Sequence, residues 1–248
     1  MHNNIIQSLW VGSTSLSPME LLCINSYLHH GHEFHLYVYD DIENLPPGAI
    51  RKDAREILPA YCIFRDEDGT WGPFSDYFRF TMLYKKGGWW VDMDSICMQH
   101  FNIEDEYCFS TELNMHGVVT LNVGNIKSPA GAEFLRDCIE YIEERGFRNI
   151  YWGEISLILL RKVLDCYDSE LYIQPPVIFC PLHTTELDLI TSGQPFDIPK
   201  ESLAMHLWNE LWRRNKMDKR ATYPPSSLYE KLKAKYNRPV PTFFAPAL

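Results

Sequence analysis

The sequence has no long apolar run, no paired-cysteine motif and no excess of basic residues. Its apolar runs fall short of the roughly 18 residues that cross a bilayer, so we expect a soluble chain or one that lies on a membrane surface. A formal net charge of -10 argues against nucleic acid as the main partner, because general polyanion binders are basic. The seven cysteines form no C-x-x-C pair, which predicts reduced, buried thiols and a cytoplasmic protein.

Several catalytic motifs and sorting signals are also missing. The chain has no P-loop, no G-x-G-x-x-G fingerprint, no G-x-S-x-G elbow and no H-E-x-x-H pair. The sequence therefore offers no motif evidence for the enzyme classes that these patterns mark. Residues 1–4 lack the basic region of a secretory leader, and none is expected. No repeat, low-complexity tract or linker is found, so a single domain spanning 1–248 is predicted.

The chain opens with an apolar strand, a capped helix and a second strand. The run IIQSLWV at 5–11 predicts a buried strand, and FHLYVY at 34–39 predicts another. Between them, Ser17 to Glu20 has the chemistry of a helix start, with a Ser cap, a Pro and a Glu three residues after the cap. This order predicts an α/β fold with a mostly parallel sheet that binds ligands at the carboxyl ends of its strands.

The rest of the chain continues to alternate between the two kinds of element. Helices are predicted at 49–58, 75–86, 129–145, 153–165 and 226–236, and strands at 89–91, 107–111, 117–123 and 202–207. Ser75 is expected to cap its helix. Residues 171–190 are interrupted by prolines and stay unassigned. The basic segment from about 213 to 248 is predicted to form a C-terminal helical tail.

The most informative segment is 75–94, SDYFRFTMLYKKGGWWVDMD. Its strand ends at Asp92 and Asp94, whose spacing places both carboxylates on one side of an extended chain. Carboxylates and substrate phosphates are common ligands of hard divalent cations, so the pair predicts a metal site, with a solvated strand end as the alternative. A second acidic pair, at 66 and 68, lies in a polar loop before a glycine and is interpreted as turn-forming.

Asp76 and Arg79 lie on the helix that precedes this strand. Residues three apart share one helix face, so the two side chains are expected to be neighbours. A carboxylate accepts hydrogen bonds and a guanidinium donates through a planar fork, which suits the pair to sugar hydroxyls or a phosphate. An ordinary surface ion pair is the alternative.

These residues resemble those of GT-A glycosyltransferases. S-D-Y-x-R followed by L-Y-K-K-G-G-W-W-V-D-M-D is similar to the helix and D-x-D strand of glycosyltransferase family 32. That family includes yeast mannosyltransferases, α-1,4-glycosyltransferases and bacterial capsular sugar transferases, and the large clostridial glucosylating toxins share its core. Further similarity is carried by Leu9-Trp10-Val11-Gly12, loosely by Asn122-Val123-Gly124-Asn125, and by His206-Leu207-Trp208-Asn209 with Trp212. The segment at 152–154 departs from the Gly-Pro that the family often has there.

The resemblance implies a GT-A, Rossmann-like domain and a role for each matching residue. The implied catalytic residues are Asp76, Arg79, Asp92 and Asp94. The implied donor-binding residues are Trp10, Val11, Ser75, Asp76, Arg79, Asp92, Met93, Asp94, Trp208 and Trp212, with Trp10 stacking on the nucleotide base. The implied metal ligands are Asp92, Asp94 and His206. Asn125 and Glu154 are the residues implied on the acceptor side.

The activity implied by the resemblance is metal-dependent, retaining transfer of a hexose from a nucleotide-sugar, UDP-linked by analogy, to a glycan or a lipid-linked saccharide. Such a reaction belongs to polysaccharide biosynthesis. A cation would offset the repulsion between an acidic protein and a diphosphate. A shell of carboxylate and imidazole favours Mn²⁺, with Mg²⁺ as the alternative.

Other interpretations stay open at this point. WVDMDSI at 90–96 also resembles the nucleophile strand of haloacid-dehalogenase-type phosphatases, in which Asp92 would attack phosphorus. A non-catalytic sugar-binding module with the same fold is a further alternative. The histidines between 29 and 35 are interpreted as structural. The basic run from 213 is interpreted as a solvated face, or as a peripheral contact with anionic lipid at the inner membrane face.

Overall fold

A central sheet organises the structure, a computed structural model that describes residues 4–237. The strands are β1 (Ile5–Trp10), β2 (Glu33–Val38), β3 (Ile50–Asp53), β4 (Gly88–Val91), β5 (Ser95–Cys97), β6 (Cys108–Leu113), β7 (Val119–Ser128) and β8 (Ala204–His206). Six of them form one sheet in the order β3-β2-β1-β4-β7-β6. The first four are parallel, whereas β7 runs antiparallel to both β4 and β6. β5 and β8 form a separate antiparallel pair.

Helices cover both faces of this sheet. They are α1 (Pro18–His29), α2 (Gly72–Lys86), α3 (Glu133–Arg145), α4 (Leu157–Leu164), α5 (Pro176–Phe179), α6 (Asn209–Arg214) and α7 (Leu228–Tyr236). Side chains alternate along a strand, so Trp89 enters an apolar core shared with α1 and α7, and Trp90 enters one shared with α2, α3 and α4. The predicted α/β class, with a central, mostly parallel sheet between helices, is confirmed.

The start of α1 follows the predicted capping chemistry. The Ser17 hydroxyl accepts a hydrogen bond from the Met19 N–H, and the Glu20 carboxylate accepts one from the Ser17 N–H at 2.6 Å. Two donors that have no partner within the helix are thereby satisfied. The helix ends at His29, and Gly31 then adopts a φ of 81° that favours glycine.

Several predicted elements are wrong in type or extent, among them the helix predicted at 153–165, which begins only at Leu157. Residues 50–53 of the predicted helix at 49–58 form β3 instead, because they pair with the parallel strand β2 at the sheet edge. α2 begins at Gly72, three residues before the predicted cap, since Pro73 presets the dihedral angle of a first helical turn. β7 continues to Ser128, where it pairs with β4, and α3 therefore starts only at Glu133.

The described residues include only the first part of the predicted C-terminal tail. α7 packs against α1, and the Tyr236 hydroxyl lies 3.0 Å from Nε2 of His30. Residues 238–248 of the predicted tail lie outside the described residues. Between residues 4 and 237 no helix is both long and apolar enough to cross a bilayer.

The cysteines are unpaired thiols, as the sequence predicts, but not all of them are buried. All seven are free thiols, and five of them are buried. Cys62 is half-buried and Cys166 is exposed, so the expectation of uniformly buried thiols is wrong at these two positions.

Candidate active site

The predicted site lies at the carboxyl edge of the parallel strands. β1 and β4 are parallel neighbours, so Trp10 at the end of β1 and Asp92 just after β4 emerge at the same edge. The sequence predicted this placement, since parallel sheets bind ligands where their strands end. Met93 and Val11 are both half-buried beside these residues in the sequence.

The small β5–β8 ladder brings His206 to the same place. Ser95 pairs with His206, and the Leu207 N–H donates to the Asp94 carbonyl at 2.9 Å. Nε2 of His206 then lies 3.1 Å from Oδ1 of Asp94. Together with a carboxylate oxygen of Asp92, these ligand atoms all lie within 4.8 Å of one another. The sequence had joined these three residues only through the family resemblance.

The Asp92–Asp94–His206 group has the donor set of a divalent-cation site. Two carboxylates and an imidazole suit Mn²⁺ and related metals. Asp94 and His206 are only 9% and 7% exposed, so they form an ion pair shielded from water. Residues 4–237 contain no other cluster of three or more His, Cys, Asp or Glu side chains that could hold a cation.

The buried pair holds its charges by mutual attraction. Burial raises the pKa of Asp94, but the charge of His206, its hydrogen bond and the Asn209 N–H outweigh burial and leave the pKa below its usual range. Burial lowers the pKa of His206, and the Asp94 carboxylate more than reverses this, so the imidazole pKa stands well above its ordinary value. Because metal ligands bind in their deprotonated forms, a cation would take the place of the proton on His206.

Arg79 connects the two predicted acidic positions. Its guanidinium donates from Nη1 to Asp76 Oδ1 at 2.5 Å and from Nη2 to Asp92 Oδ1 at 2.8 Å. Arg79 is only 3% exposed, and its guanidinium carbon lies 5.0 Å from the centre of the Trp90 ring. Its Nε is buried and has no hydrogen-bond partner among residues 4–237. The alternative of an ordinary surface ion pair is therefore wrong, because the pair is buried and extends to Asp92.

Asp76 and Asp92 are each oriented by further contacts. Burial raises the pKa of Asp76, and the attraction of Arg79 and the nearby Ser156 side chain offset only part of that rise. Oδ1 of Asp92 accepts a second hydrogen bond, from Trp90 Nε1 at 2.8 Å. Ser75 lies half-buried inside α2, next to Asp76, and its N–H donates to the Trp71 carbonyl.

Gly124 provides space beside the two metal-capable groups. A methyl group at this position would lie 3.2 Å from Asp92 Oδ2, 3.5 Å from His206 Cε1 and 2.9 Å from Asn122 Oδ1. Asn122 in turn donates to Glu112 Oε2 at 2.5 Å, and its Nδ2 lies 3.4 Å from His206 Nδ1. The sequence did not point to Glu112. Nothing in the residues around a strand glutamate indicates that it will bond an asparagine beside a metal-capable histidine.

Lys219 is a further site residue that the sequence did not reveal. Its Nζ bonds Glu20 Oε1 at 2.5 Å and Asn209 Oδ1 at 3.0 Å, and it lies 5.8 Å from the centre of the Trp10 ring. The Asn209 N–H donates to Asp94 Oδ2 at 2.7 Å. In the sequence Lys219 belongs to a basic run interpreted as a solvated face, and its partner Glu20 is 199 positions away.

The two predicted tryptophans of the C-terminal segment lie in different environments. Trp208 adopts a left-handed backbone, with φ 60° and ψ 51°, and its ring centre lies 4.2 Å from that of His206. Such backbone strain in a residue other than glycine is typical of functional sites. Trp212 is 1% exposed and packs against Tyr229 with ring centres 5.1 Å apart, inside the α1–α7 core.

The two predicted acceptor-side residues are not grouped together. Asn125 is fully buried, and its Oδ1 accepts a hydrogen bond from the Ser95 hydroxyl at 2.9 Å. Glu154 forms an ion pair with Arg145, with Oε1 at 2.8 Å from Nε. Their roles toward an acceptor stay predictions.

The chain matches one known family over part of its length. Residues 49–110 match the family described as "Glycosyltransferase sugar-binding region containing DXD motif". The match includes α2, β4 and Asp92 to Asp94, so the D-x-D segment lies in a glycosyltransferase-like sugar-binding region. No curated protein sequence matches the chain.

Several solved structures are similar in overall form. A structure titled "PaToxG Glycosyltransferase" has a TM-score of 0.48 and 12% identity, covering 65% of this chain and 67% of its own. The glycosyltransferase GlyE of Streptococcus pneumoniae TIGR4 has a TM-score of 0.44 and 14% identity, covering 88% of this chain and 61% of its own. A transferase mutant has a TM-score of 0.44 and 9% identity, covering 67% and 87%. Likeness at this level carries no argument about function.

Proposed function

We propose that the protein is a divalent-cation-dependent glycosyltransferase that moves a hexose from a nucleotide-sugar, UDP-linked by family resemblance, to a saccharide acceptor. The observation that carries the proposal is the convergence of Asp92, Asp94 and His206 within 4.8 Å, in a chain whose D-x-D segment matches a glycosyltransferase sugar-binding region. Arg79 and Asp76 extend this group on the side of α2.

Asp94, His206 and Asp92 would hold the cation, which acts when bound as a Lewis acid toward the departing diphosphate. Oδ1 of Asp92 is occupied by Arg79 and Trp90, so Oδ2, next to Gly124, is the oxygen left for a ligand. Mn²⁺ suits the mixed oxygen and nitrogen set better than Mg²⁺, which prefers oxygen ligands and water.

The donor would lie along the edge formed by β1 and β4. The Trp10 ring is held by a hydrogen bond from its Nε1 to the Ser13 carbonyl at 3.0 Å, which orients it for stacking on a base. Lys219 lies between this ring and Asn209, where its ammonium would attract the diphosphate. The buried Nε of Arg79, together with Asp76, would bind hydroxyl groups of the donor sugar.

We favour retention of the anomeric configuration by attack on the face from which the diphosphate leaves. The acceptor oxygen forms its bond to the anomeric carbon as the bond to the diphosphate oxygen breaks, and the acceptor proton passes to the diphosphate. A covalent route needs a free carboxylate. Asp76, Asp92 and Asp94 are already engaged by Arg79 or His206, and Glu154 by Arg145.

The stereochemistry has its own measurement. An α-linked donor should give an α-linked product, which the anomeric proton reports by NMR. A β-linked product would remove the assignment to a retaining family. Mass spectrometry with a slow donor tests the route, because a glycosyl adduct on Glu154 or Asp76 would exclude same-face attack.

The acceptor and the location are finer parts of the proposal. A glycan or a lipid-linked saccharide of polysaccharide biosynthesis is expected, in the cytoplasm and with contact at the inner membrane face in the lipid-linked case. Arg213 and Arg214 both pair with Glu210, which reduces the free charge available for anionic lipid and favours a soluble glycan.

The decisive experiment is a binding and hydrolysis screen. Thermal unfolding is measured with Mn²⁺ and a panel of UDP-, GDP- and dTDP-sugars, followed by assay of donor hydrolysis with Mn²⁺ and with EDTA. A rise in Tm with one nucleotide family, and hydrolysis that EDTA abolishes, are expected. Release of phosphate from an aryl phosphate, or full activity in EDTA, would contradict the proposal.

A further inference from the structure

Two large aromatic side chains are exposed on the segment between α3 and α4. Tyr151 is 59% exposed and Trp152 is 63% exposed. By contrast, Trp89, Trp90 and Trp212 are each no more than 1% exposed. Two adjacent exposed aromatic rings make a contiguous apolar patch, which is the kind of surface at which ligands bind.

The segment that carries these rings is held in place. The Arg145 guanidinium binds both carboxylate oxygens of Glu154, at 2.8 and 2.9 Å, and donates to the Asn149 carbonyl at 2.7 Å. Glu154 also accepts a hydrogen bond from the Tyr151 N–H at 3.1 Å. A ring presented on a fixed segment loses little conformational freedom when a ligand stacks on it.

Trp152 lies between elements that build the candidate active site. Its own segment ends at Ser156, which is close enough to Asp76 to lower the pKa of that carboxyl. On the other side, the Arg214 guanidinium lies 5.8 Å from the centre of the Trp152 ring. Arg214 belongs to α6, the helix that begins at Asn209, whose N–H donates to Asp94. Trp152 therefore lies near the site on two sides, through Ser156 next to Asp76 and through Arg214 on the helix that begins at Asn209.

We propose that Trp152, with Tyr151 beside it, is a stacking platform for a pyranose ring of the saccharide acceptor. A pyranose has one face rich in C–H groups, which packs on an aromatic ring, and a rim of hydroxyls that needs polar partners. Arg214 and its ion-pair partner Glu210 supply such partners at the edge of the ring. Calling this sugar the acceptor rests on the proposed function, whereas saccharide binding at Trp152 does not.

The chemistry around the platform favours a sugar over another protein chain. The exposed apolar surface comprises the Tyr151 and Trp152 rings with the Ile158 side chain beside Gly153, and it is bordered by the ion pairs Arg145–Glu154 and Arg214–Glu210. Protein interfaces bury about 800 Å² on each partner, far more than two rings provide. A second copy of the chain on this surface is therefore an outcome for the test to exclude.

The first test is NMR of protein labelled with ¹⁵N at its tryptophan indoles. The resonance that disappears in Trp152→Phe identifies Trp152, and lactose, maltose, cellobiose and the open-chain polyol sorbitol are then titrated separately. We expect the Trp152 resonance to shift with at least one disaccharide and not with sorbitol. No shift with any of the three disaccharides overturns the proposal, as does an equal shift with sorbitol.

The second test uses kinetics with the disaccharide that binds. Trp152→Ala should raise the acceptor KM about tenfold, while Mn²⁺-dependent donor hydrolysis without acceptor stays unchanged. Tyr61→Ala removes an 87% exposed ring elsewhere and should change neither value. An unchanged acceptor KM in Trp152→Ala overturns the proposal.

The outcomes separate this inference from the proposed function. If the Trp152 resonance shifts with disaccharide but the protein binds no nucleotide-sugar, saccharide binding at Trp152 stands and the proposed transferase activity is wrong. If the protein hydrolyses a nucleotide-sugar but the Trp152 resonance does not respond to disaccharide, the transferase proposal stands and the Trp152 proposal is wrong. Sedimentation of wild type and Trp152→Ala completes the test, because a dimer lost in the variant would mean that a second copy covers the ring.

Discussion

The two segments that build the candidate site are held in different ways. Residues 75–94 belong to α2 and β4, and β4 is a central strand between two buried cores. In residues 204–219, His206 lies on a three-residue strand, β8, and Lys219 lies in a turn that follows the six-residue helix α6. The first segment is fixed by the main sheet, whereas the second lies outside that sheet and is held by a two-stranded ladder, by side-chain contacts to the first and by Trp212, which packs in the α1–α7 core.

This difference shows where the site is rigid and where it is assembled. Arg79, Asp76 and Asp92 bind one another on adjoining elements of the first segment. His206 and Asn209 both bond Asp94, at 3.1 and 2.7 Å. Asp94 therefore connects the two segments. A bound cation would connect them again, through Asp92 and Asp94 of the first segment and His206 of the second.

The largest effect is expected when that junction is removed. Asp94→Ala deletes a ligand of the proposed cation and the partner of both His206 and Asn209. Mn²⁺-dependent donor hydrolysis should fall by several orders of magnitude, because an electrophilic cation contributes several kcal/mol to the transition state. Steady-state hydrolysis of the donor that binds is the measurement.

A matched control separates charge from position. Asp66 and Asp68 form the other D-x-D of the chain, in the loop before α2, where Asp66 accepts the Thr70 N–H at 2.6 Å. Changing both to Ala should alter hydrolysis little. Comparable losses in the two variants would mean that net charge, rather than the Asp94 junction, governs activity.

The next largest effect is expected inside the first segment and on stability. Arg79→Ala leaves the carboxylates of Asp76 and Asp92 without their buried cation, which costs about 3–5 kcal/mol in comparable buried pairs. Denaturant unfolding measures the loss. Arg136→Ala removes an arginine with three surface partners and should cost no more than about 1 kcal/mol. Equal losses would contradict the buried network.

The smallest effect is expected where the two segments are closest. Gly124→Ala places a methyl group 3.2 Å from Asp92 Oδ2 and 3.5 Å from His206 Cε1, and overpacking of this kind costs about 1–3 kcal/mol. Mn²⁺ affinity, measured by calorimetry, should weaken as well. Gly72→Ala meets nothing nearer than 3.6 Å and serves as the control. Wild-type affinity in Gly124→Ala would place the cation away from this space.

The residues that were predicted from local patterns lie in the first segment and at the start of α1. The capping box at Ser17, the end of α2 before Gly87 and the strand that leads to Asp92 are each specified within a few residues. The expectation that Asp76 and Arg79 face each other also follows from helix geometry alone. The wider assignments, a single domain over 1–248 and membership of family 32, stay predictions.

The sequence by itself determined the α/β class, the capped helix α1 and the D-x-D strand, because turn chemistry and side-chain periodicity act over a few neighbouring residues. Tertiary structure alone decided that His206 faces Asp94, that Lys219 reaches Trp10 and Glu20, and that Trp212 is buried while Trp152 is exposed. Sheet pairing also makes residues 50–53 a strand, β3, where the sequence predicts a helix. Each of these outcomes joins residues far apart in the chain, where contacts are set by the packing of apolar faces and by sheet pairing, and local patterns carry no record of the partner.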